Sequence, residues 1–196
     1  MLHAVDIKNF RCFRALRLRT TASVNLIAGL NNSGKTALLE AIHLSATATP
    51  WEVLRAGGIR SWSGGPGDAA WRSLFHQSDE GSPITLTAHW TTGEVLETRV
   101  TATTQVQMGR MSSPPIGLIL EVERRALHGV EGAPGDGAQV YRTEEGTFST
   151  SRSAMPLVGD VGVASATDRP RASVLADRFS ALQRTRSEGF VVDALR

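Results

Sequence analysis

The sequence predicts an α/β fold on three observations. The first is the run Gly29-Leu30-Asn31-Asn32-Ser33-Gly34-Lys35-Thr36, which fills every position of the pattern G-x-x-x-x-G-K-[ST]. The second is its flanks: Ser23-Val24-Asn25-Leu26-Ile27-Ala28 is a short apolar run that reads as a buried strand, and Thr36-Ala37-Leu38-Leu39-Glu40-Ala41-Ile42-His43-Leu44 is built of strong helix formers. The third is the alternating, β-rich sequence that begins at Ile84. Together they predict a central sheet around the glycine loop, joined to an antiparallel β-subdomain.

Each loop position has a mechanical reason to bind phosphate. Gly29 and Gly34 are read as positions whose backbone angles a Cβ would forbid. The N–H groups of Leu30, Asn31, Asn32 and Ser33 then turn inward as a concave anion nest. Lys35 carries a compact charge to the β- and γ-phosphates, and the Thr36 hydroxyl is placed to ligand Mg²⁺. A helix starting at Gly34 adds the positive end of its dipole. Leu38, Leu39, Ile42 and Leu44 are read as its apolar stripe. Strand, loop and helix is the context the pattern requires.

In chain order, residues 2–9 alternate loosely and read as a first strand. Phe10-Arg11-Cys12-Phe13 follows, then Leu16-Arg17-Leu18-Arg19 as a second strand. Residues 1–46 thus form a strand–loop–helix core. Residues 47–83 are a loop-rich insertion, with Gly, Ser and Pro throughout 47–67 and Trp51, Trp62 and Trp71 to pack it down. Residues 71–76 are read as a helical turn. Residues 84–150 form the antiparallel β-subdomain: a hairpin of 84–90 and 95–104 about Thr91-Thr92-Gly93-Glu94, then strands at 116–124, 139–142 and 147–150. Residues 129–137 hold four glycines and a proline and read as a loop. Residues 151–196 begin a helical C-terminal part, with an apolar stretch at 156–164 and Leu175, Phe179 and Leu182 at helical spacing from 171 on.

Composition sets the outer bounds. The chain has 196 residues, 41% of them apolar and 20% charged, enough for one domain with a real core. No apolar run approaches a membrane span, and the N-terminus lacks a charged-then-apolar signal pattern. The single cysteine, Cys12, excludes an internal disulfide and fits a reducing cytoplasm. Net charge is only +2, so the chain as a whole is no polycation. Of its 21 basic residues only Lys8 and Lys35 are lysines. The arginine excess is assigned to composition bias, since alanine and glycine are abundant too.

Other constellations are weaker. The five histidines are scattered, with no zinc spacing. His76, Asp79 and Glu80 are near one another, but a polar loop ahead of a strand accounts for them. Arg14, Arg17 and Arg19 offer a basic edge for DNA phosphates, with a solvated strand face as the preferred account. No lysine follows Lys35, so an Asn-Lys-x-Asp guanine motif is absent.

The opening Ile7-Lys8-Asn9-Phe10-Arg11-Cys12-Phe13, the strand ending Asn25-Leu26-Ile27, the loop at 29–36 and Leu38-Leu39-Glu40-Ala41-Ile42 together resemble the SMC/RecF/OLD-like branch of ABC-type P-loop ATPases. The resemblance is specific over residues 2–44. It implies the N-terminal lobe of an ABC-type head, with Lys35 and Thr36 as phosphate and Mg²⁺ contacts and Asn31 facing the γ-phosphate. It further implies that Arg11 lies near the nucleotide and that Gln77 is a candidate Q-loop residue, although a solvated loop glutamine is the preferred account of Gln77. The cofactors so implied are ATP and Mg²⁺, and the roles are DNA repair, chromosome maintenance or anti-phage defence.

Such heads also need a Walker B strand, four apolar residues then Asp-Glu, and a Ser-Gly-Gly signature helix. Ile116-Gly117-Leu118-Ile119-Leu120-Glu121-Val122-Glu123 has the apolar run but ends Glu-Val, and is read as a β-subdomain strand. Phe190-Val191-Val192-Asp193 is followed by Ala194, and Ser63-Gly64-Gly65 by Pro66; both are rejected. The expectation is a lobe awaiting a C-terminal half from a homodimer or a partner chain, with DNA as a further partner. The alternative is a nucleotide-dependent interaction module that does not hydrolyse ATP.

Overall fold

Alternating polar and apolar residues dominate the observed architecture, a computed structural model that describes residues 1–19, 24–47, 50, 54, 68–104, 114–128 and 136–151. All lie within one compact unit, Met1–Val161. Its strands are β1 (Leu2–Phe10), β2 (Phe13–Arg19), β3 (Ile84–Trp90), β4 (Val95–Thr103), β5 (Ile119–His128), β6 (Asp136–Thr143) and β7 (Gly146–Ser151). Its helices are α1 (Lys35–Ala46) and the short α2 (Asp68–Arg72), with a 3₁₀ turn at His76–Ser78. The seven strands form one sheet in the order β2-β1-β3-β4-β5-β6-β7, antiparallel at every step.

Register explains the two faces. Val5, Ala88 and Leu96 lie side by side, as do Ile7, Leu86 and Thr98, and all are fully buried. Val100, Val122 and Ala138 extend this row across β4, β5 and β6. Helix α1 packs across β1, β3 and β4 through Ala37, Ala41 and Leu44. Each of these side chains leaves water, at about 25 cal/mol per Å² of apolar surface. The opposite face is polar, because a step of one residue along a strand reverses the side chain. There Asp6 pairs with Arg17 at 3.4 Å and with His89 at 2.8 Å, and Glu97 pairs with Arg125 at 2.7 Å.

Several expectations change here. The central sheet around the glycine loop is not present among the described residues. The strands before the loop pair directly with the hairpin after it, β1 against β3. The run 24–28, read as a buried strand, belongs to no strand, and Leu26 is 92% exposed and Val24 64%. A strand exists only where a neighbour takes its N–H and C=O groups, and all seven observed strands pair with one another. Leu26→Ser is therefore expected to shift unfolding free energy by less than about 0.5 kcal/mol, as at other exposed positions. A loss of about 2–5 kcal/mol in denaturant unfolding, as for a buried leucine, would show that Leu26 is covered.

The stripe on α1 also differs. Leu44 is buried and Leu38 and Ile42 pack partly against the core, but Leu39 is 45% exposed. The fully buried line is Ala37, Glu40, Ala41 and Leu44, the i, i+3, i+4, i+7 positions of one helical face. The buried guanidinium of Arg124 on β5 donates to the Thr47 carbonyl at the C-terminal end of α1, where a cation suits the helix dipole.

The hairpins are close to expectation. Gly93 has φ +97° in the β3–β4 turn, where Gly93 N–H donates to Trp90 O at 3.0 Å. Of the segment at 116–124, residues 119–124 lie in β5 between β4 and β6, in line with its reading as a β-subdomain strand, while residues 116–118 precede the strand. The helical turn near Trp71 is α2, set three residues earlier than expected. Trp51, Trp62, the Ser63-Gly64-Gly65 run, residues 129–135 of the glycine loop, the 156–164 stretch, the 171–196 helical pattern and Phe190-Val191-Val192-Asp193 lie outside the described residues.

Candidate phosphate-binding site

The glycine loop leads straight into α1. Gly34 is the N-cap, with φ 91° and ψ 6° in the left-handed region, and Leu38 N–H donates to Gly34 O at 2.9 Å to start the helix. A Cβ on Gly34 would lie 2.8 Å from Cys12 Sγ and 3.1 Å from Phe13 Cζ. Glycine is needed there for both conformation and space. Gly29 differs from expectation: it is not among the left-handed residues, and the second such position in the loop is Asn32, at φ 62°. Asparagine tolerates that region because its short polar side chain bonds locally. Gly29 contributes close approach instead, since a Cβ there would lie 2.8 Å from Ser33 Oγ.

Lys35 is held by the loop it serves. Its Nζ donates to Gly29 O and Leu30 O, both at 2.7 Å. Ser33 N–H donates to Leu30 O at 3.3 Å and closes the turn. Beside the ammonium lies a cavity of about 690 Å³ lined by Asn31, Asn32, Ser33, Gly34, Lys35, Thr36 and Ala37, together with Arg11, Cys12 and Ser73. That volume lies in the range of small-molecule sites. Among the described residues that line it there is no carboxylate.

Arg11 reaches this cavity from the β1–β2 turn, where it adopts φ 52°. Its N–H donates to Leu74 O at 2.6 Å, and its carbonyl lies 3.0 Å from His76 Nδ1. Its guanidinium pairs with Glu40 of α1, Nε to Oε2 at 2.7 Å and Nη2 to Oε1 at 3.2 Å, and Nη1 donates to Ser73 Oγ at 3.3 Å. The structure thus brings Arg11 together with Asn31, Asn32, Ser33, Gly34, Lys35 and Thr36. Leu30 is exposed and joins the site through its carbonyl alone.

Gln77 is exposed, has φ 53°, and is not in the cavity lining. His76 faces the Arg11 carbonyl and Glu80 pairs with Arg72 at 2.8 Å. No cluster of three or more His, Cys, Asp or Glu able to hold a metal occurs among the described residues. Glu40, Ser73 and Cys12 are the site residues that sequence reasoning missed. For Glu40 the available signal was a carboxylate in register with Ala37, Ala41 and Leu44; for Ser73 and Cys12 there was none.

A left-handed glycine N-cap, a loop lysine and a helix-borne threonine thus stand around one cavity. Residues 4–90 match the AAA domain family, and this part of the chain is similar to the N-terminal region of SMC/RecF-like P-loop ATPases. The chain is similar to an uncharacterized protein of Methanocaldococcus jannaschii, 34% identical over 41% of this chain and 38% of that protein. It is similar also to the DNA replication and repair protein RecF of Nitrosococcus oceani, 46% identical over 22% of this chain and 13% of that protein. The RecF protein of Lactococcus lactis is 37% identical over 32% of this chain and 17% of its own length. The matched segments thus span little more than a third of the first relative and under a fifth of these RecF proteins. No solved structure matches the chain. Among the described residues, no helix is long and apolar enough to cross a membrane.

Proposed function

We propose that this chain binds Mg-ATP through its phosphates and acts as the ATP-binding lobe of an SMC/RecF-like ATPase. The observation that carries this reading is the convergence of Lys35, Thr36, the left-handed Gly34 and Arg11 on one cavity. The donors present suit a polyphosphate: an ammonium, backbone N–H groups at the start of α1, and a guanidinium. Mg²⁺ would arrive with the nucleotide and take the Thr36 hydroxyl as its protein ligand, the described lining residues offering no carboxylate. The ion would neutralise charge on the phosphates. Hydrolysis belongs to a head that also contains a Walker B-bearing lobe. A role in DNA repair, chromosome maintenance or anti-phage defence, with DNA as a partner, goes with that assembly.

The deciding experiment is Mg-ATP titration and turnover with the 196-residue chain. Binding without turnover is the expected result. Turnover that depends on Lys35 would place a catalytic carboxylate within this chain. Failure to bind would overturn the reading.

The second reading is a nucleotide-dependent interaction module that never hydrolyses ATP. It is favoured by one observation, the absence of any carboxylate among the described residues that line the cavity. Glu121 and Glu123 lie on β5, within the antiparallel array. Glu121→Gln and Glu123→Gln are each expected to leave Mg-ATP affinity within about twofold of the parent, as for surface changes remote from a site. A loss of ATPase activity in either variant would instead identify β5 as the missing carboxylate strand.

A further inference from the structure

Glu40 is 2% exposed, on the core-facing side of α1 among Ala37, Ala41 and Leu44. Burying a carboxylate costs several kcal/mol unless a partner compensates. An apolar residue of similar volume in such a place is often neutral or stabilising, so packing alone gives no reason for an acid. What the acid does is grip Arg11 at two points, Nε to Oε2 at 2.7 Å and Nη2 to Oε1 at 3.2 Å. That grip turns the third nitrogen, Nη1, toward Ser73 Oγ on the cavity wall.

The other end of Arg11 is held as well. Its backbone is bound to Leu74 O and faces His76 Nδ1. Glu40 lies four residues after Thr36 on α1, so the two share one side of the helix. The carboxylate therefore ties the guanidinium to the same rigid helix that carries Lys35 and Thr36. An arginine side chain left to itself spreads over many rotamers and must be ordered when it binds. One already fixed in place avoids that cost.

The geometry points to Glu40 as a positioning residue that holds the Arg11 guanidinium at the cavity that Lys35 also lines. The inference rests on the phosphate-site reading above and deepens it, assigning a role to a residue that touches no ligand. It makes Arg11 and Glu40 one functional unit: removing either disables the same contact.

The test is a double-mutant cycle in Mg-ATP affinity on the full chain, with thermal unfolding in parallel. Glu40→Gln and Arg11→Met are each expected to weaken binding about tenfold, the scale of one charge-assisted contact. The double variant is expected to bind no more weakly than Arg11→Met alone. Wild-type affinity in Glu40→Gln, with or without a lowered Tm, overturns the positioning role, and so do losses that multiply. Should Glu40→Gln fail to fold, Arg11→Lys replaces it: the charge stays but the two-point grip is lost, so binding is expected to weaken, and unchanged affinity overturns the role. Lys35→Ala in the same titration separates the two readings. If Lys35→Ala loses binding while Glu40→Gln keeps it, only the positioning role fails. If Lys35→Ala still binds, or the wild-type chain never does, the phosphate site fails and the positioning role with it.

Discussion

Lys35→Ala is expected to weaken Mg-ATP binding by at least about a hundredfold while leaving the fold in place. The Nζ donates to Gly29 O and Leu30 O at an exposed site. Losing two such bonds to solvent costs the folded state about 1–2 kcal/mol. For a bound polyphosphate the loss is greater, because the missing group is a full charge facing several others beside a helix N-terminus. Isothermal titration with Mg-ATP, together with a melting curve, reads both quantities. Unchanged affinity would falsify the assignment of the site. Lost affinity with a collapsed melting transition would make the lysine structural instead.

Gly34→Ala is expected to destabilise the protein by about 2–5 kcal/mol and to abolish nucleotide binding. Two costs add: a non-glycine residue held at positive φ costs about 1–2 kcal/mol, and an overpacked methyl costs about 1–3 kcal/mol. The new Cβ would stand 2.8 Å from Cys12 Sγ and 3.1 Å from Phe13 Cζ. Relief of that contact requires the β1–β2 turn or the start of α1 to shift, and Lys35 and Thr36 shift with the helix. Gly93 supplies the control, since it has φ +97° with nothing within 4 Å of an added Cβ. Gly93→Ala is thus expected to show the backbone cost alone and to keep nucleotide affinity. Equal unfolding losses at the two glycines would remove the steric half of the argument. Combining Gly34→Ala with Cys12→Ala should recover part of the stability, because it deletes the nearest clashing atom.

Local pattern made much of this protein legible. The hairpin of β3 and β4, the turn at Gly93, and β1 and β2 all follow from alternation and turn chemistry, which act over a few residues. The loop pattern located six of the cavity-lining residues, Asn31 to Thr36, because each position answers to a backbone or charge requirement that holds in any fold. Arg11 came from resemblance alone, and its place at the cavity depends on the β1–β2 turn being bound to Leu74.

What local pattern misjudged needed knowledge of partners. Val24 to Ala28 has the composition of a buried strand, yet whether a β-competent run pairs depends on a neighbour's open edge, which lies far away in sequence. Gly29 was assigned a forbidden conformation that Asn32 carries instead, because the pattern marks where glycine occurs, not which peptide turns over. Leu39 was placed on the stripe of α1 although the helix turns it outward. Glu40 read as an ordinary helix former, and its burial showed only once β1 had brought Arg11 across to it.

By itself, then, the sequence determined the chemistry of the loop: a glycine N-cap, an ammonium and a hydroxyl at set positions, and strands that alternate. These are short-range properties, decided by sterics and charge within one turn of chain. Only the tertiary structure decided that the strands on both sides of the loop share one antiparallel sheet, and that a buried carboxylate on α1 pairs with an arginine of the β1–β2 turn beside the cavity of the glycine loop. Those outcomes depend on long-range pairing and on the cost of burying charge, and neither acts until the chain has folded back on itself.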